Sequence, residues 1–90
     1  MGSLRLPAVK SAFGYSSDGA VYVNIDAGLL PRPVKIGLRA SAWPAVEIEQ
    51  ILIARVGGAS DDEIRALVNK LHAARKAAWA ALRDAVGVSA

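Results

Sequence analysis

At 90 residues the chain makes one domain at most, and 53% hydrophobic with 21% charged side chains excludes a disordered profile. The absence of cysteine removes disulfides and thiolate zinc sites, the single His72 cannot build a metal cluster alone, and no apolar run nears the ~20 residues that span a bilayer. The net charge of +3 is uneven: residues 1–43 carry Arg5, Lys10, Arg32, Lys35 and Arg39 against Asp18 and Asp26, whereas residues 44–90 balance, so the excess fits a polyanion partner.

Leu6, Val9 and Phe13 share one face at helical spacing. With Pro7 suited to a first turn and Gly14 to a left-handed end, they predict a short helix over 6–13. Ser16-Ser17-Asp18 then offers N-cap candidates for a second element running to about residue 27. Its type is open, because Gly19, Val21, Val23 and Ile25 disfavour helix and residues 20–25 also read as a strand.

Pro31-Arg32-Pro33 is stiff and extended. Val34-Lys35-Ile36 alternates like a half-buried strand, Gly37-Leu38 is a plausible hairpin tip, and residues 39–43 return as the second strand with Trp43 as anchor. Pro44 opens a third helix to about Arg55, with Ile48, Ile51 and Leu52 inward and Glu47 and Glu49 near its positive end. Ser60 and Glu63 form a capping box for a fourth helix to about Val86, about 40 Å long, whose end projects beyond the compact domain.

A helix pair followed by a β-hairpin is the winged helix-turn-helix layout. Residues 14–47 resemble the AlpA-like and excisionase-like winged-helix proteins of phages and integrative elements. The resemblance rests on Gly14, Ser17, Tyr22, Gly28, Pro31, Pro33, Lys35-Ile36-Gly37, Arg39, Trp43 and Glu47-Ile48, with matching spacing from Tyr22 onward. Residues 60–67 are similar to the tail of some members. The resemblance implies an α+β, mostly helical, MerR-like winged helix over residues 1–56. The helix in 57–90 would then serve oligomerisation or partner binding.

It also implies double-stranded DNA as partner, no catalysis and no cofactor. The leading role it implies is a recombination directionality factor. Such a factor binds tandem sites cooperatively beside a tyrosine or serine integrase, bends DNA and biases recombination towards excision. Transcriptional regulation of mobile-element genes is the alternative within the same class, and an interaction adaptor without DNA binding is a third reading. No nucleophile–base pair or phosphate-binding glycine loop supports an enzyme. The expected location is cytoplasmic and nucleoid-associated.

The expected DNA contacts are Lys10, Ser17, Tyr22, Asn24, Arg32, Lys35 and Arg39. The three wing cations would hold phosphates or enter a narrow minor groove. Asn24 would read adenine or nothing, Tyr22 would touch a phosphate or fill the core, and Ser17 is a cap whose neighbouring N–H groups face a phosphate. Val23 and Asp18 stand where the family usually has arginine, which moves the expected contacts from the second helix to the wing. Leu71, Trp79 and Leu82 are the expected partner or self-association residues, with Trp79 alternatively folding back on the domain. Arg65, Lys70, Arg75, Lys76 and Arg83 read as a solvated face, or as a second phosphate track, and His72 as an ordinary surface histidine.

Overall fold

The computed structural model describes residues 2–87, in the order β1 (Ser3–Leu4), α1 (Leu6–Phe13), α2 (Asp18–Asp26), β2 (Val34–Lys35), β3 (Ser41–Pro44), α3 (Ala45–Val56) and α4 (Asp61–Val86). The architecture is α+β and mostly helical, with the wing hairpin beside a helix pair.

The α1 helix starts at Leu6 with Pro7 in its first turn and ends where Gly14 takes φ 69°, so that Tyr15 N–H returns to the Lys10 carbonyl at 2.9 Å. The undecided second element is a helix. Ser17 Oγ accepts the Ala20 N–H at 3.2 Å, and Val21 is fully buried with Ile25 half-buried one turn on. A cap and a shared buried face override the weak local propensity. Gly28 follows at φ +77°, and a Cβ there would meet Arg65 Cγ at 3.4 Å. Both the backbone angle and the close approach call for glycine.

The sheet order is β1-β3-β2, all antiparallel, with Ser3 opposite Pro44, Leu4 opposite Trp43, Val34 opposite Ala42 and Lys35 opposite Ser41. The first strand was not expected from sequence, since two residues carry no periodicity. It gives the inner edge of the wing a second partner. The hairpin ladder is shorter than expected: Ile36 N–H bonds the Ala40 carbonyl at 2.9 Å, which leaves Arg39 in the turn rather than in the returning strand.

Two apolar clusters make the core. Val9, Val21, Leu30, Trp43 and Ile48 join α1, α2, β3 and α3. Ile51, Ile64, Val68 and Leu71 join α3 to the first turns of α4, and Phe13 touches both clusters. Two expectations change here. Leu71, expected at a partner surface, is a core residue at 8% exposure, because the inward stripe of α4 begins at Ile64 and runs through it. The core also crosses residue 56, so the start of α4 packs as part of the winged domain; the outer part leaves Trp79, Leu82 and Val86 exposed.

Cavity formation at Ile64 should therefore destabilise the whole domain. Ile64→Ala is expected to cost about 2–5 kcal/mol in urea unfolding. A chain ending at residue 56 should show no cooperative unfolding transition by circular dichroism, and a cooperative transition there would show that α4 is dispensable to the core.

Candidate nucleic-acid interface

Side chains as well as the short ladder anchor the wing at its root. Pro31 and Pro33 lack N–H groups, so few backbone handles remain in this segment. Three of them are taken: Trp43 Nε1 donates to the Pro31 carbonyl at 2.6 Å, Arg32 N–H donates to His72 Nε2 at 3.0 Å, and Arg75 Nη2 donates to the Arg32 carbonyl at 2.8 Å. The Arg75 Nε also donates to Glu47 Oε2 at 2.9 Å, while its Nη2 reaches the other carboxylate oxygen. Glu47 is buried at 6% exposure and needs such a partner.

These contacts correct two readings. Arg75 is not part of a solvated face, and His72 is not an ordinary surface histidine, because the length of α4 carries both back to the wing root. Accepting the Arg32 N–H requires a neutral imidazole Nε2. Burial is the main influence holding the His72 pKa below its usual value; the charges of Arg32 and Arg75 act the same way, as does Lys76 more weakly, and Glu47 opposes them.

The cations divide into paired and unpaired sets. Lys10 meets Asp18 at 3.0 Å, Arg55 meets Asp61 at 3.0 Å, Arg65 meets Asp62 at 3.0 Å and Arg75 meets Glu47. Among the described residues, Arg5, Arg32, Lys35, Arg39, Lys70 and Lys76 carry no ion pair and are exposed; the first four lie in the N-terminal half and the two lysines on α4. A cleft lined by Arg5, Leu6, Pro7, Tyr22, Arg39 and Ser41 brings the start of α1, the middle of α2 and the wing turn together. Tyr22 is half exposed in that cleft rather than in the core, and shares its lining with Arg5 and Arg39. Such a group of donors suits a phosphodiester.

The remaining expected residues fall elsewhere. Lys10 is paired with Asp18. Ser17 is the expected cap, its Oγ accepting the Ala20 N–H. Asn24 donates Nδ2 to the Ala20 carbonyl at 2.8 Å and lies partly buried in a separate cleft with Phe13, Tyr15 and Arg55. That places its amide on its own helix, away from the wing. Arg5 was missed by sequence reasoning; its only signal was membership of the unbalanced positive set just before Pro7.

Among the described residues, no group of three or more His, Cys, Asp or Glu side chains is placed to hold a metal ion. No helix among them is long and apolar enough to cross a membrane.

The family model described as "Prophage CP4-57 regulatory protein (AlpA)" matches residues 2–56, more than half of the chain. No curated protein and no solved structure matches it. The matched segment runs from β1 to the end of α3 and contains the cleft and the wing.

A histidine kept neutral in the fold has a defined pH signature. Its folded pKa is lowered, so its stabilising contribution is present above the ordinary value of 6.5 and is lost as pH falls through the lowered value. The thermal midpoint should drop between about pH 7 and about pH 5, and more steeply than in His72→Gln, which keeps an acceptor without titrating. Parallel melting profiles for the two proteins would show that His72 does not titrate on unfolding.

Proposed function

The chain belongs to the AlpA family, small phage-type regulatory DNA-binding proteins, and from that premise we propose that it is a recombination directionality factor. In this reading it binds tandem sites cooperatively, bends the DNA and biases an integrase of the tyrosine or serine class towards excision. The observation that carries the DNA-binding part is the unpaired cation set: Arg5 and Arg39 flank Tyr22 in one cleft, with Arg32 and Lys35 on the same wing. The exposed faces of α2 carry Tyr22 and Val23 but no cation, so base reading along α2 gives way to backbone and minor-groove contact by the wing.

Few cations per copy mean weak binding per copy, since each phosphate contact adds only ~0.9 to the salt slope. Useful affinity then comes from neighbouring copies held together on adjacent sites. Trp79 and Leu82, exposed at 51% and 56% on the outer part of α4, are the residues proposed for that self-association. The family's description as a regulatory protein favours a second reading, transcriptional control of mobile-element genes, by the same DNA-bound form.

Gel shifts on a duplex with tandem sites should progress stepwise and cooperatively. Arg39→Ala and Arg5→Ala should each weaken binding and lower the salt slope by about one phosphate contact. Trp79→Ala should remove cooperativity and leave single-site affinity in place. A lone shift that never progresses argues against tandem assembly. Failure to bind any duplex at about 50 mM salt, where electrostatic contacts are strong, leaves the adaptor reading instead. An excision assay with the cognate integrase, with and without this chain, separates the directionality role from transcriptional control.

A further inference from the structure

The segment shared with the family ends at Val56, yet the wing root is held from beyond it, by α4. We propose that His72 and Arg75 are positioning residues for DNA binding, fixing the Arg32 backbone so that its guanidinium is presented to a phosphate. The proposal rests on the DNA-binding reading above.

The case begins with chain stiffness. Pro31 and Pro33 fix φ on either side of Arg32 and supply no donors, so Arg32 holds the free amide of this tripeptide. That amide donates to His72 and the Arg32 carbonyl accepts from Arg75, across 40 and 43 residues of chain. A local turn would not need such distant partners. The Arg32 side chain itself is exposed and makes no ion pair among the described residues.

Arg75 suits the task through its planar fork. One guanidinium serves the Glu47 carboxylate on α3 and the Arg32 carbonyl at once. A lysine, a point charge with a rotating ammonium, does not hold both in a fixed geometry. The three-way contact locks α3, α4 and the wing root together. The α3 helix continues directly from β3, so the lock also sets the wing against the cleft lined by Arg5, Tyr22 and Arg39.

The test uses the full chain and a mixed-sequence DNA duplex at low salt, with His72→Ala, His72→Gln, Arg75→Lys and Arg32→Ala, and the double variant of His72→Ala with Arg32→Ala. Melting curves establish that each is folded at the working temperature. In the free protein, amide exchange at Arg32 should speed up in His72→Ala and be restored in His72→Gln. On DNA, His72→Ala and Arg75→Lys should each weaken binding about three- to tenfold, and His72→Gln should bind like the unmodified chain. In the Arg32→Ala background, adding His72→Ala should change nothing further, because the residue acts through Arg32. If Arg32→Ala weakens binding while His72→Ala does not, or if the His72→Ala loss persists without Arg32, the positioning role is overturned and the DNA-binding reading stands. If the unmodified chain binds no duplex, the DNA-binding reading falls and takes this assignment with it.

Discussion

One guanidinium ties this domain together. Arg75 neutralises the buried Glu47 carboxylate and also caps the carbonyl of Arg32. A buried carboxylate without a partner is strongly destabilising, so the contact is not an ornament on a finished core. It makes the middle of α4 obligatory for the wing. The wing has little support of its own: β2 has two residues, and the β2–β3 pairing spans only Val34 with Ala42 and Lys35 with Ser41. A hairpin that short does not hold its orientation in water unaided.

The same contact explains how charge is distributed. The acids of the C-terminal half are largely consumed by structure. Glu47 holds Arg75, Asp61 holds Arg55, Asp62 holds Arg65, and Glu63 closes the capping box, which lowers its pKa through the Ser60 hydrogen bonds. In the N-terminal half, Asp18 takes Lys10, and Arg5, Arg32, Lys35 and Arg39 are left to face solvent. Two of these cations, Arg5 and Arg39, line one cleft, and such a local excess of positive charge is what a polyanion responds to.

Much of the fold was legible before any coordinates. The glycine after Phe13, the serine caps at Ser17 and Ser60, and the Ser60–Glu63 box act within a few residues, and each stands where local chemistry placed it. Trp43 as an anchor was legible too, since a lone large aromatic in a short hairpin has few other uses. The second element was not, because propensity opposed what the burial of Val21 imposed. Of the candidate surface, the wing cations were legible from charge and pattern. Arg5, the commitment of Asn24 to its own helix and the inward turn of Leu71 were not.

What the sequence by itself determined is therefore local and periodic: where helices start and stop, which faces are apolar, and that a proline-pinned basic hairpin follows a helix pair. Those features depend on neighbours within about one helical turn or one strand pleat. Tertiary structure alone decided the partners across 28 to 43 residues: Glu47 with Arg75, and Arg32 with His72 and Arg75. A histidine or arginine on a polar helix face looks solvated in sequence. Its role appears only when the helix path carries it against a buried carboxylate and the backbone of a stiff segment with no closer partner.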